Sequence, residues 1–366
     1  MRGGIRAVVT HFPLRLRIDG AALVANWRWL AQQSGDAACG AAVKADGYGL
    51  GARETVNRLA DAGCRDFFVA TWAEAEALMP WPEELALSVL HGVGKDDLPD
   101  ALASPARPVL NSALQVARWR EAAPGRSCDV MIDTGMNRLG LSEEEARLGL
   151  LDGLVIDTLM SHLACADDPE HPLNLAQLLR FQSLSGAVAA RRTSLANSAG
   201  ICLGPAYAFD LTRPGLALYG GIPVAGDSRQ ERAIQPVVSV EAQLVQLRRV
   251  LPGETVGYGA TFVAGSPLQI GILNLGYADG YLRQLGPYGT VRANGRMFAI
   301  AGRVSMDLIA VDLSHPIGGQ KLDRCEVAEG DWLTIDYRLP EVAEASGLSQ
   351  YELLTGLGSR FERIWS

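Results

Sequence analysis

The stretch CGAAVKADGYGLGA, Cys39 to Ala52, admits two readings that lead to two different folds. A short apolar run, Ala41 to Val43, is stopped by a lysine and followed at once by glycines and a tyrosine. As the first turn of a doubly wound dinucleotide-binding sheet, GYGLGA would need a third glycine where Ala52 stands, and an acid at the end of the second strand, where Thr71 stands. The lysine would have no role there. As the C-terminal end of a strand in a parallel barrel, the same stretch places Lys44 on the face where such barrels carry their chemistry. An isolated lysine ordinarily snorkels to the surface. One set at the end of a buried run costs free energy unless it is paired or used.

Working outward, short apolar runs alternate with helix-period segments from about residue 39 to about residue 220. The runs are AAVK (41–44), FFVA (67–70), LALSVL (85–90), RPVL (107–110), DVMID (129–133), VIDTLMSH (155–162), SLAN (194–197) and DLTR (210–213). Their continuous apolar character fits strands buried on both faces. Eight strand-helix units predict an α/β fold, a closed (β/α)8 TIM barrel over residues 12–235. After about residue 235 the sequence turns β-branched and partly alternating, broken by Gly, Pro and an Asn-Gly turn at Asn294–Gly295. A second, mainly β domain is therefore expected over residues 236–366, with residues 1–11 pairing to it.

The chain has 366 residues, 48% of them hydrophobic, and a formal charge of −8. That suffices for a large core, and no run of Lys and Arg follows a phosphate backbone, so nucleic acid is not an expected partner. No stretch of about 18 apolar residues reads as a membrane span or anchor. The six cysteines form no CxxC pair and sit mostly in apolar runs, which predicts reduced thiols and a cytoplasmic protein. The five histidines show no ligand spacing, so no metal is expected.

The strand ends of the barrel carry Lys44 and Tyr48, Arg138 beyond the fifth, His162 at the sixth, Asn197 and Ser198 at the seventh, and Arg213 at the eighth. They would converge. Together with AVKADGYGLGA, DTGMNRLG, LANSAG, RPGLALYG, VGYGATF, GYADG and GRVSMD in this order, they make the chain resemble the alanine racemase family of pyridoxal 5'-phosphate (PLP) enzymes over nearly its whole length.

The resemblance implies a homodimer in which each site combines one subunit's barrel with its partner's β domain. It implies that Lys44 forms a Schiff base with the PLP aldehyde, a role that burial favours by lowering an amine's pKa. Ser198, the amides of Gly215 and Leu216, and the hydroxyls of Tyr48 and Tyr351 would hold the phosphate, alongside Asn197. An N-cap role for NSAG is compatible with this, since the same free amides serve both. Arg213 would face the pyridine nitrogen. A guanidinium keeps its proton, so the ring becomes a weak electron sink and the proton returns to Cα. Read alone, Arg213 is a surface ion-pair former.

Racemisation needs acid-base groups on opposite faces of Cα. The resemblance assigns these to Lys44 and, from the partner subunit, Tyr258, which by itself would read as a β-domain core residue. A phenol needs nearby cationic groups to act as a base near neutrality. His162 would pack against the cofactor ring and relay part of that help. Arg138 would contact the cofactor's phenolic oxygen and lie near the substrate carboxylate, which the Met306 amide would also meet, with Asp307 as a support. Tyr277 and Tyr351 would form a gate admitting only a small amino acid.

Two positions depart from the family pattern. Met131 stands where many members carry a carbamylated lysine that steadies the arginine, and Ser194 stands where a histidine often supports the pyridine-facing arginine. Asn137, replacing a frequent glycine, is expected to help bind an anion such as chloride in place of the carbamate. The expected activity is interconversion of L- and D-alanine, feeding D-alanine to peptidoglycan. The alternatives are a racemase of another small amino acid such as serine, a PLP barrel decarboxylase, a single-domain PLP-binding regulator, and a nucleotide-binding dehydrogenase. Arg213 argues against the decarboxylase, and the β domain against the regulator.

Overall fold

The structure is a computed structural model that describes residues 11–366. The chain divides into two units, one spanning Asp19–Val237, the other joining the strand Leu14–Ile18 to Val238–Ser366. The boundary expected at residue 12 thus falls at residue 19. Its cause is backbone pairing: Leu14–Ile18 runs antiparallel to Val238–Ala242 and parallel to Glu362–Trp365. The pairing expected for residues 1–11 lies, but for His11, outside the described residues.

In the first unit seven parallel strands lie side by side in sequence order: Ala41–Ala42, Asp66–Val69, Ala86–Val89, Arg107–Leu110, Ser127–Met131, Val155–Met160 and Arg192–Ser194. An eighth, Leu211–Thr212, pairs in parallel with Ala38–Cys39, just ahead of the first, and its flanks bond the seventh through Asp210 N to Thr193 O and Arg213 N to Ala196 O. The eight strands close into a (β/α)8 barrel, as expected from their continuous apolar runs. Phe67, Phe68 and Val69 are almost wholly buried. Burial of each such phenylalanine contributes about 2–3 kcal/mol.

Helix starts are set locally. Thr71 and Ser142 each form a capping box, with Glu74 and Glu145 respectively, and Ser112 accepts the Gln115 amide. In the N-terminal halves of the strands lies a ring of charges. Arg107 meets Asp129 and Asp157, and Arg192 bridges Asp66 (2.6 Å) and Asp157 (3.0 Å). Paired charges at this end serve stability, the opposite end being the one for chemistry.

In the second unit the thirteen-residue strand Val238–Val250 closes a six-stranded antiparallel barrel. It pairs with Trp332–Ile335 through its first half and with Leu268–Leu273 through its second, with a bulge between Leu244 and Gln246. The circuit continues through Ile309–Pro316, Arg296–Ile300 and Thr290–Ala293. Asn294 and Gly295, both at positive φ, make the tight hairpin that their sequence announces.

Candidate active site

Lys44 follows the first barrel strand, and the backbone after it does something rare. Ala45, Asp46, Gly47, Tyr48 and Gly49 all have positive φ, between 51° and 84°. Left-handed backbone costs about 1–2 kcal/mol per non-glycine residue, so Ala45, Asp46 and Tyr48 must be held there. The bonds that hold them run from Gly47 N to Val43 O, Gly49 N to Ala45 O, Ala52 N to Asp46 Oδ1 and Ala45 N to Glu74 Oε1, each 2.8 Å. Burial lowers the Lys44 pKa, Arg138 and Arg213 lower it further, and Glu74 opposes them.

Tyr48 is buried and stacks on Tyr219, ring centroids 4.6 Å apart. The Tyr219 hydroxyl is fixed on Ala42 O at 2.9 Å. The Tyr48 hydroxyl lies against the backbone of Gly215, so closely that a Cβ there would sit 2.1 Å from it. Beside this cradle the Ser198 hydroxyl accepts the amides of Gly215 (2.9 Å) and Ala217 (3.2 Å). The donors at Ser198 are therefore the amides of residues 215 and 217, with Leu216 between them. Asn197 caps the helix Ser198–Cys202 through the Gly200 amide. The seventh strand ends at Ser194, so SLAN is mostly the loop leading into that cap.

Arg213 is buried, and both of its bonded partners are neutral oxygens. One terminal nitrogen donates to Ser194 Oγ, which in turn donates to Leu211 O, and the other donates to Ser161 O at 2.6 Å. Burial brings its pKa down to about 10, with Asp129 acting the other way. It remains a cation at neutral pH. Ser194 thus takes up the supporting contact that the sequence placed at that position.

His162 is pushed down to about 3, first by burial and then by Arg213, Arg138 and Lys44. It is uncharged at neutral pH, so it carries none of the cationic help expected of it. Gln177, buried, ties this strand end to the fifth: its side chain bonds His162 O, Ala164 N and Thr134 Oγ1. Asp133 Oδ1 accepts the amides of Gly135 and Met136, turning the chain toward Asn137 and Arg138, both exposed. Asn137 has φ 56°. Met131 packs inside the barrel with Phe68, Val109, Met160 and Leu211, so apolar side chains fill the position of the missing lysine.

The remaining expected residues lie on the second unit. Tyr277 N bonds Ser305 O, and Ala278 N bonds Met306 O, which brings the GYADG and SMD loops together. Arg360 clasps both, meeting Asp279 Oδ1 at 2.6 Å and Asp307 Oδ1 at 2.7 Å. Asp307, next to Met306, is thereby tied through Arg360 to the Asp279 loop. The Tyr258 turn packs on Arg303, whose guanidinium approaches Gly259. Tyr258, Met306 and Tyr351 are large side chains left 68%, 53% and 44% exposed.

Glu74, Ser161, Gln177, Tyr219 and Arg360 were missed from sequence. Of these, Glu74 left a signal as the fourth residue of a Thr-x-x-Glu capping box, and Tyr219 stood in the RPGLALYG motif.

A lysine, a buried arginine bonded to neutral acceptors, and a hydroxyl-and-amide cradle fit an aldehyde cofactor bearing a pyridine ring and a phosphate. Glycine 215 has no room for a side chain over that cradle. Among the described residues no His/Cys/Asp/Glu cluster suited to a metal occurs. Family models for the N-terminal and C-terminal domains of alanine racemase match residues 18–223 and 237–365. The alanine racemase of Jannaschia sp. is 44% identical, over 95% of this chain and 97% of its own. The biosynthetic alanine racemase of Agrobacterium fabrum is 40% identical, over 96% and 93%. The crystal structure of alanine racemase from Bartonella henselae, with covalently bound pyridoxal phosphate, superposes with TM-score 0.87 at 35% identity, covering 98% of this chain and 100% of that one. The chain belongs to the alanine racemase family.

Proposed function

We propose that this protein is a PLP-dependent alanine racemase acting in the cytoplasm as a homodimer, interconverting L- and D-alanine with two acid-base groups and supplying D-alanine for peptidoglycan. The observation that carries the reading is Arg213: a buried cation at the end of the eighth strand, bonded to Ser194 and Ser161 oxygens, in the same barrel end as Lys44. A decarboxylase of the same fold would place a carboxylic acid there.

Bound PLP supplies the electron sink that acidifies the Cα–H of an amino acid joined to it. Lys44 carries the cofactor between turnovers, and its lowered pKa leaves more neutral amine for that role and for proton transfer at one face of Cα. Ser198 Oγ, the amides of Gly215 and Leu216, and the hydroxyls of Tyr48 and Tyr351 hold the phosphate, together with Asn197. Arg213 offers the ring an N–H without giving up its proton, which favours return of the proton to Cα. His162, uncharged, packs against the ring. Arg138 and the Met306 amide orient the substrate carboxylate, and Asp307 steadies the Met306 loop through Arg360. Tyr258, contributed by the partner subunit, moves the proton on the opposite face and is the base for L-alanine.

The dimer is supported by the exposure of Tyr258, Met306 and Tyr351, large side chains that a lone subunit leaves in water. Tyr277 and Tyr351 narrow the entrance, which suits alanine and excludes bulky amino acids. No helix among the described residues is long and apolar enough to cross a membrane, and all six cysteines are free, which suits a reducing compartment. Circular dichroism of alanine interconversion tests the reading. Lys44→Ala and Tyr258→Phe should each remove most activity, with kcat/KM falling equally in both directions, as an equilibrium constant of one requires. Full activity in either variant contradicts the assignment.

A further inference from the structure

Glu74 does more than cap a helix. In a Thr-x-x-Glu box the glutamate is expected to reach back to the N-cap amide. Here that contact, to Thr71 N, is its longest at 3.4 Å. Glu74 Oε2 accepts Ala70 N at 2.6 Å, at the end of the second barrel strand. Its other oxygen crosses to the loop of the first strand and accepts Ala45 N at 2.8 Å. Ala45 directly follows Lys44 and opens the left-handed run. One carboxylate thus ties together two neighbouring strand ends at the residue beside the amine.

The charges around Lys44 give the same carboxylate a second effect. Arg138 and Arg213 act on the amine as cations, His162 in its vicinity is uncharged, and Glu74 supplies the opposing negative charge. We propose that Glu74 is a positioning residue for Lys44: bound by the amides of Ala45 and Ala70, its carboxylate fixes the strained turn that aims the amine and sets a counter-charge beside it. This deepens the racemase reading and rests on it for the role of Lys44.

Glutamine separates this from helix capping alone. It serves as well as glutamate in a capping box, yet it carries one acceptor oxygen, so its NH2 group must face one of the two amides, and the charge is gone. In cofactor-free protein, the pH dependence of Lys44 modification by trinitrobenzenesulfonate, read by peptide mass spectrometry, reports the amine directly. In Glu74→Gln its inflection should move to lower pH, because the two guanidiniums lose their opponent. Binding of PLP, followed by fluorescence, should weaken about tenfold with loss of a charge-assisted hydrogen bond. Glu74→Asp keeps the charge and is too short to span both amides. It should hold the inflection in place while still weakening PLP binding.

A folded Glu74→Gln protein with the inflection and PLP affinity of the unaltered enzyme overturns the proposal. So does an inflection moved in Glu74→Asp, which keeps the test alive should the glutamine variant not fold. Borohydride reduction of the unaltered holoenzyme separates the two readings. PLP fixed on the Lys44 peptide upholds the role of Lys44 whatever Glu74 does, and its absence there sinks that role while the modification profile still reports on Glu74.

Discussion

Gly215→Ala should loosen the cofactor cradle without touching any reacting group. The new methyl carbon would start 2.1 Å from the Tyr48 hydroxyl and 2.8 Å from Cζ, against an ordinary contact of 3.4 Å or more. Tyr48 must therefore retreat by roughly 1.3 Å, the difference between those distances. It has little room, being stacked on Tyr219, which is itself fully buried and bonded to Ala42 O. Overpacking of this kind costs about 1–3 kcal/mol. The Gly215 amide, which donates to Ser198 Oγ, shifts with the strain. A loss of about 2 kcal/mol at the phosphate corresponds to roughly 30-fold weaker binding of PLP. Fluorescence titration of cofactor-free protein with PLP measures the affinity, and denaturant unfolding measures the strain. Adding Tyr48→Phe removes the nearest clashing atom but leaves Cζ, so the double variant should recover about 1 kcal/mol relative to additivity. Unchanged affinity and unchanged unfolding in Gly215→Ala would refute the cradle.

Two further outcomes follow from buried groups. Ser194→Ala strips the Arg213 guanidinium of one of its two neutral acceptors, and should lower stability by about 2 kcal/mol and kcat for alanine about tenfold; equal kcat and an equal denaturant midpoint would show that Ser161 O suffices. Asp157 should govern part of the acid limb of stability. Its burial would raise its pKa, but Arg191, Arg107 and Arg192 outweigh that and bring it to about 2. A carboxylate depressed in this way contributes its stability above the unfolded value near 3.8 and loses it as pH falls toward 2. The difference amounts to about 2 kcal/mol. Denaturant midpoints recorded from pH 5 downward should fall less steeply in Asp157→Asn than in the unaltered protein, and parallel curves would remove Asp157 from the account.

The barrel was legible because burial on both faces writes parallel strands as unbroken apolar runs. The exception explains itself: the seventh strand begins at Arg192, whose polarity serves the charge ring with Asp66 and Asp157, so an apolar pattern set it too late, over SLAN. The short strand Leu14–Ile18 read as part of the barrel domain, because its partner Val238–Ala242 lies more than two hundred residues away. At the site, the residues expected to react or bind were named through their motifs. Those that hold them were not, because the contacts are made in space. Glu74 reaches Ala45 across 29 positions, and Arg360 reaches Asp279 across 81. Met131 is the reverse case: an apolar residue at a familiar polar position, explained once Phe68, Val109, Met160 and Leu211 are seen around it.

The central claim is that an amine from one subunit and a phenol from its partner work on opposite faces of the same substrate. Mixing Lys44→Ala and Tyr258→Phe proteins, after dissociation and reassociation, tests it directly. Half of randomly formed dimers combine both variants, and each of those holds one site with Lys44 and Tyr258 intact. About a quarter of the unaltered racemase activity should therefore appear, well above the residual activity of either variant alone. No activity above that of the separate variants, with mixed dimers shown to have formed, would place both groups in a single subunit and contradict the shared site.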